Sequence, residues 1–386
     1  MQRLLFLAER FPPDIGGVAR SAGRTVDSLM RLGLSVDVLV WSRYLTPGEV
    51  QIERDRPAPV YRVGQYRHWD MSMLNTLNVL EWLHQTHSYD AVWGHYLFPA
   101  GFLAVWFAEQ QGLPNIVSAR GNDVDRAMFP PGDFARLQWT LQHAGVITTV
   151  SRDLAQKVRL LSDRTDIHVL PNAVDTDCFQ PATAADQGTL QALRQQHGIA
   201  PNEVVLGFSG ELREKKGQQF LLPTLTTVRQ HHPACLLIIG EIRTSQEALL
   251  QTYGVQFPAD VQRVIVTGHL DDPEQVAQHL QLCDLLLLPS LWEGMPNALL
   301  EAMACGLGCI ASDAGGIPEV LEHGKTGFLL PRFKLHHLGE AVLEWLSLDA
   351  DTKHAIQQAA RDRVLAQFSL TEEGRSLTPI LRLLGK

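Results

Sequence analysis

The chain has 386 residues, of which 45% are hydrophobic and 19% charged, and its formal net charge is −9. That length exceeds what one hydrophobic core usually serves, and that composition excludes a disordered or low-complexity chain. Through Leu170 there are 17 Lys and Arg against 17 Asp and Glu, so the whole deficit falls on the remainder. With no basic excess, nucleic acid is excluded as a main partner.

In chain order, Met1 to Ala8 open an apolar run that is too short for a leader and is interrupted by Glu9-Arg10, so it reads as a buried strand over Leu4–Leu7. Gly16-Gly17 follow, with a helix beginning near Ala19. Glycine there lets backbone approach a phosphate, and the helix start adds positive potential. Tyr61 to Trp69 mixes Arg62, Arg67 and His68 with Tyr61, Tyr66 and Trp69. Such a mixture fits a headgroup interface or an exposed acceptor loop. With a balanced charge on this half, the expectation is weak membrane contact at most, through the N-terminal domain.

Further apolar runs lie at Val36–Val40, Ala91–Trp93, Ile116–Val117, Val146–Val150 and His168–Leu170. The second half repeats the pattern at Val204–Phe208, Leu236–Ile239, Val264–Val266, Leu285–Leu288, Cys309–Ala311 and Phe328–Leu330. Strands alternating with helical stretches specify β-α-β units and parallel sheets. The fold class is therefore α/β, with two doubly wound, Rossmann-like domains facing a cleft. The N-terminal domain spans residues 1–175 and the C-terminal domain 188–367, with a linker between them. The segment 368–386 ends in an apolar helical pattern of Leu377, Ile380, Leu381, Leu383 and Leu384. No stretch gives eighteen uncharged apolar residues in a row, so no membrane span is expected. Five cysteines without a C-x-x-C pair fit buried small hydrophobes in a reducing cytoplasm, not metal ligands or a disulfide framework.

The segment Pro289 to Glu301 carries the densest chemistry. Cys283 to Leu288 reads as a buried strand, Glu293-Gly294-Met295-Pro296-Asn297 as a loop, and Ala298-Leu299-Leu300-Glu301 as a helix start. Loop amides and a helix N-terminus at the carboxyl end of a strand favour anions, which is where open α/β sheets bind phosphorylated ligands. Glu293 is placed to accept hydrogen bonds from hydroxyls, and Glu301 to hold a cis-diol such as a ribose. Two solvated carboxylates near a helix start are the plainer alternative.

From Glu293 to Glu301, on through Ala302 to Gly306, Gly315-Gly316-Ile317-Pro318-Glu319-Val320 and Gly324 to Leu329, the chain resembles the retaining nucleotide-sugar glycosyltransferases of family 4, which have the GT-B fold. Pro171-Asn172-Ala173-Val174-Asp175, Gly210, Lys216-Gly217, Pro12-Pro13 and Gly16-Gly17-Val18 extend the likeness in the family's order. The resemblance implies transfer of a hexose-type sugar from a nucleotide-diphosphate donor to a hydroxyl acceptor, lipid-linked or otherwise, with retention of configuration. It also implies a last helix that crosses back to the N-terminal domain.

By this resemblance Glu301 meets the ribose, Lys216 and Arg213 the diphosphate, and Gly294, Met295, Pro296, Asn297, Ala298 and Leu299 lie nearby with their amides. Glu293 meets the donor sugar, and Gly16 and Gly17 a phosphate. The family usually has Arg directly after the glycine where this chain has Glu211, and Arg213 is the nearest substitute. His95 matches a common histidine position, although a lone histidine is as often structural. Arg120 stands where the family commonly has His, which favours contact with a phosphate or sugar over proton shuttling. Asp123 matches an acidic position and equally fits a helix N-cap. No cofactor or essential metal is expected, since fixed cations and helix dipoles can do that electrostatic work. A GT-B epimerase or phosphorylase, or a non-catalytic nucleotide-sugar-binding protein, remain as rivals.

Overall fold

The computed structural model describes residues 2–384, apart from the side chains of 244–246 and 249. The described strands are β1 (Arg3–Ala8), β2 (Ser35–Ser42), β3 (Val50–Glu53), β4 (Val60–Gly64), β5 (Ala91–His95), β6 (Asn115–Ala119), β7 (Val146–Thr149), β8 (Ile167–Val169), β9 (Val204–Ser209), β10 (Ala234–Ile239), β11 (Val264–Val266), β12 (Leu285–Leu288), β13 (Gly308–Ser312) and β14 (Phe328–Leu330). They form one sheet in the order β3-β4-β2-β1-β5-β6-β7-β8 and another in the order β11-β10-β9-β12-β13-β14.

The first compact unit comprises Met1–Asn172 and Thr371–Lys386. Its sheet is parallel throughout except for β3, which runs antiparallel to β4. Strands buried on both faces must be apolar on alternate residues in both registers, which is why β1 reads as a continuous run. Leu4 and Phe6 pack with Val26 and Leu29 of the helix Gly17–Arg31, with Leu377 and Ile380 of the helix Leu370–Leu383, and with Leu384 just after it. Leu5 and Leu7 face the other way, toward Leu80, Leu83, Leu103 and Phe107.

Two strands, β3 and β4, lie where none was expected, and they remove the exposed segment proposed for Tyr61 to Trp69. Tyr61, Arg62 and Val63 are buried in β4, and only Arg67 and His68 of that stretch are exposed. Arg62 is held by Glu53 and donates to the Pro12 carbonyl at 2.5 Å, while Trp69 packs edge-on against Trp41. Arg62, Tyr61 and Trp69 are thus core and hairpin contacts. No described helix is long and apolar enough to cross a membrane.

The second unit spans Ala173–Leu370, and its sheet is parallel throughout. Leu206, Phe208, Leu236, Ile238, Leu285, Leu287 and Ile310 pack against Leu221, Leu222 and Leu225 of the helix Gln218–Arg229, and against Val342 and Trp345 of the helix Leu338–Ser347. Residues 176–187, expected as a linker, belong to this unit. Phe179 is buried, and the Val174 amide donates to the Phe368 carbonyl at 2.8 Å. The chain passes between units at Asn172/Ala173 and again at Leu370/Thr371.

Candidate active site

In each sheet the strand order reverses once, between β1 and β5 and between β9 and β12. The loops leaving such neighbours diverge to opposite faces and open a crevice at the carboxyl ends, the usual ligand position in open α/β sheets. Gly16 follows β1, Arg213 and Lys216 follow β9, and Glu293 follows β12, whereas Arg120 and Asp123 follow β6.

In the second unit, Lys216 follows β9 and Glu293 follows β12. Lys216 Nζ lies 2.5 Å from Glu293 Oε1, and Ser290 Oγ donates to the same oxygen at 2.8 Å. Burial alone would raise the Glu293 carboxyl, but Lys216 and Lys215 and these hydrogen bonds hold it below the usual carboxylate range. It is therefore an ionised acceptor at neutral pH.

Close packing fixes the two loops against each other. Gly217 has φ 73°, and a Cβ there would stand 1.8 Å from the Pro289 carbonyl oxygen. Gly315, at φ 53°, would bring a Cβ to 1.8 Å from the Glu293 carbonyl oxygen. Only glycine permits either approach. The Leu291 amide donates to the Lys215 carbonyl, the Gly316 amide to the Gly294 carbonyl, and Ser312 Oγ to the Ser290 carbonyl. The diglycine thus supports the Glu293 loop directly.

Glu301 is buried within the helix Asn297–Ala304, which has Pro296 at its N-cap and no side-chain cap. Asn297 Oδ1 is buried with no hydrogen-bond partner among the described residues. Met295 and Ala298 are also buried. Leu299 corrects one expectation: its side chain is fully buried and its amide donates to the Pro296 carbonyl, so it offers nothing to a ligand.

Arg213 does not stand alone in place of the family's arginine. Its guanidinium pairs with Glu211, whose other carboxylate oxygen pairs with Arg243. Glu211 thus gathers two arginines at the ends of β9 and β10. The sequence pattern missed Arg243 because it lies 32 positions from its partner, in a charged turn without a motif.

In the first unit, Gly16 caps the helix Gly17–Arg31, which has no side-chain cap and no acidic residue in its first turn. His95 ends β5 and is fully buried, with Nε2 3.3 Å from Ser21 Oγ. Burial, reinforced by Arg120 and Arg24, drives its pKa well below the ordinary histidine range, so it is neutral. Arg120, half-buried after β6, donates to Asn172 Oδ1, and Arg24 Nη2 reaches the same oxygen at 3.1 Å. Arg24 Nε also pairs with Glu373 Oε1 at 2.9 Å, and Ser28 Oγ donates to Glu373 Oε2 at 2.7 Å. Burial and the neighbouring Arg24 push Arg120 down to about 9, which leaves it a cation at pH 7.

Asp123 is not a helix N-cap: that position of the helix Asn122–Asp125 is Gly121. Its two oxygens accept the backbone N–H groups of Leu97, Arg120 and Gly121 at 2.7 to 3.0 Å, tying the loop after β5 to the loop after β6. Burial raises it to about 6 against the pull of those amides. It positions Arg120 through the backbone. Arg24, Ser28 and Glu373 carried no sequence signal, since Arg24 and Glu373 lie 349 positions apart. Among the described residues, no group of three or more His, Cys, Asp or Glu side chains gathers as metal ligands would.

Two family models match the chain: "Glycosyl transferase 4-like domain" over residues 16–173 and "Glycosyl transferases group 1" over residues 203–347. It is 27% identical over 394 aligned positions to the GDP-mannose-dependent alpha-(1-6)-phosphatidylinositol monomannoside mannosyltransferase of Mycobacterium tuberculosis, covering 99% of this chain and 98% of that one. It is 24% identical over 318 positions to the N-acetyl-alpha-D-glucosaminyl L-malate synthase of Bacillus anthracis, covering 80% of this chain and 77% of that one. Among solved structures, sucrose-phosphate synthase from Thermosynechococcus elongatus superposes with a TM-score of 0.81 at 17% identity, over 100% of this chain and 99% of that one. Anabaena HepE in complex with UDP gives 0.80 at 19%, over 99% and 100%. The two matched models fall on the two sheets, each with its loops at a reversal of strand order, and the chain belongs to the group 1 glycosyltransferases of the GT-B fold.

Proposed function

We propose that the enzyme transfers a sugar from a nucleotide-diphosphate donor to a hydroxyl acceptor with retention of anomeric configuration, in the manner of family 4. The observation that carries this reading is the Lys216–Glu293 pair at the β9/β12 reversal, beside the helix that holds Glu301. The second unit takes the donor: Glu301 on the ribose diol, Lys216 with the Glu211-bound Arg213 on the diphosphate, and Glu293 on the hydroxyls of the sugar. Negative charge grows on the diphosphate as the sugar bond breaks, and a fixed cation there lowers the barrier. The first unit takes the acceptor.

Lys216 is already engaged by Glu293, so it is poised, not mobile, when the donor enters. His95, being neutral and buried, is a hydrogen-bonding group and not a proton shuttle. The acceptor proton passes to the departing phosphate as the acceptor oxygen bonds to the anomeric carbon on the same face, and the step needs no metal. Support for a nucleotide-sugar donor comes from the relatives named above, one described as GDP-mannose-dependent and one solved with UDP. All five cysteines are free, which suits a reducing cytoplasm.

Glu211, which stands where the family has a cation, leaves room for a non-catalytic nucleotide-sugar-binding role. The two arginines gathered on it favour the enzyme instead. Incubating the protein with UDP-, GDP- and ADP-sugars and a panel of hydroxyl acceptors tests the reading. Proton NMR of the new linkage reports its configuration: retention is expected, and an inverted product would overturn the mechanism. Donor binding without turnover on any acceptor would favour the sensor.

A further inference from the structure

Two guanidinium groups converge on Asn172 in the first unit. Arg24 and Arg120 both donate to one neutral oxygen, Asn172 Oδ1. Arg24 has a carboxylate of its own in Glu373, whose second oxygen is taken by Ser28. The other nearby carboxylate, Asp123, is filled by three backbone N–H groups and offsets the charge only at a distance. Arg120 makes no ion pair among the described residues, and its bond to Asn172 uses one of the five N–H donors of a guanidinium. His95 faces Ser21 through Nε2, its Nδ1 is buried with no hydrogen-bond partner among the described residues, and being neutral it gives Arg120 no counter-charge.

Partly burying one guanidinium beside another, with no carboxylate bonded to it, is unfavourable, and its pKa is depressed accordingly. A residue kept only for packing would be a hydrocarbon or a neutral polar group. The arrangement makes physical sense if the missing oxygens arrive with a ligand. Both groups sit on the carboxyl-end side of the sheet: Arg120 directly follows β6, and His95, which ends β5, senses both arginines electrostatically. That is the side on which an α/β sheet meets its ligands.

We propose that Arg120, backed by Arg24 and the Asn172 carboxamide, binds an oxyanion carried by the acceptor, a phosphate or carboxylate group. The inference rests on the reading above in which the second unit takes the donor. A planar, forked guanidinium matches two oxygens of such a group, whereas a lysine offers a point charge. The acceptor class is thereby narrowed to anionic hydroxyl compounds.

Calorimetric titration of the full-length protein with inorganic phosphate tests this, in the presence and absence of saturating UDP, GDP or ADP. Wild type should bind phosphate on the order of millimolar, a small anion's share of a larger ligand's affinity. The nucleoside diphosphate should not displace it. R120A should weaken phosphate binding by about tenfold or more, and R120K should restore only part of it, because the fork is lost. R120A should also melt at or above the wild-type temperature, since an uncompensated partly buried cation is gone, and phosphate should raise the melting temperature of wild type only. Should R120A fail to fold, the R120K titration carries the test alone. Phosphate affinity unchanged in R120A (or in R120K, where that variant stands alone), no phosphate binding at tens of millimolar, or displacement of phosphate by the nucleoside diphosphate would each overturn the proposal. The last outcome would assign the anion to the donor. Failure of every nucleotide to bind would instead overturn the donor reading, and the two failures are separately visible.

Discussion

Lys216 and Glu293 form a 2.5 Å ion pair that joins the loop after β9 to the loop after β12, across the point where the strand order of the second sheet reverses. Both side chains are largely withdrawn from water, so the pair is not a screened surface contact. K216A should lower kcat by about a hundredfold or more, as when one partner of a developing charge is removed. E293A should lower it too, and K216A/E293A should lose less than the two single losses multiplied together, because neighbours in one network are not additive. Full additivity in steady-state assays would show that the pair is incidental to turnover.

E301A should weaken nucleotide binding by about 1–3 kcal/mol, the range for a lost hydrogen bond to a charged acceptor. Calorimetry with the free nucleoside diphosphate measures it. A 2′-deoxyribose nucleotide should bind wild type and E301A with similar affinity, since the diol is then incomplete. Unchanged affinity of E301A for the ribonucleotide would remove Glu301 from the site.

Glu211 bridges Arg213 and Arg243, so removing the carboxylate disturbs two cations at once. R213A and E211A should each raise the donor KM by about tenfold, the loss of one charge-assisted contact. A double mutant should be little worse than either. Wild-type KM in R213A would demote the triad to a surface ion-pair network.

The folded state should lose stability as pH falls from 7.5 to 6. The His95 pKa is depressed by burial and by Arg120 and Arg24, so the unfolded chain takes up a proton near pH 6.5 while the folded chain does not. Stability is therefore full above that value and declines below it, by at most about 1.4 kcal/mol per pH unit for one proton. His197, whose Nε2 lies 3.1 Å from that of His279, is depressed by burial and by that neighbour and acts in the same direction. Asp123, pushed up to about 6, opposes the trend only around and below that pH. Urea midpoints of wild type and H95N across this range isolate the His95 part. An equal slope in both proteins would place the effect elsewhere.

Much of this could be read from residue order. Parallel strands buried on both faces leave continuous apolar runs, so β1, β2, β5, β9, β10 and β12 are visible in the sequence. The pair β3 and β4 was not, because a short edge hairpin carrying Glu53 and a buried Arg62 breaks the apolar run that marks a strand. Lys216, Glu293 and Glu301 were legible because each sits within a few residues of a glycine turn or helix start that constrains it. Arg24, Glu373 and Arg243 were illegible for the converse reason: their partners lie 349 and 32 positions away, and no local pattern announces a contact at that range. Asp123 looked like a helix cap since an acid next to a helix start usually is one. Its actual work reaches back to the Leu97 amide.

The last helix, Leu370–Leu383, puts Leu377 and Ile380 into the core of the first unit and Glu373 onto Arg24 and Ser28. On a ribosome this inverts the usual order of events, in which domains finish in the sequence in which they emerge. The first unit emerges before the second and is completed after it. Until residues 371–384 leave the exit tunnel, Leu4, Phe6 and Leu29 lack their final apolar neighbours and Arg24 lacks its carboxylate. Throughout synthesis of the second unit, the nascent chain therefore carries an open seam that only residues 371–384 can close.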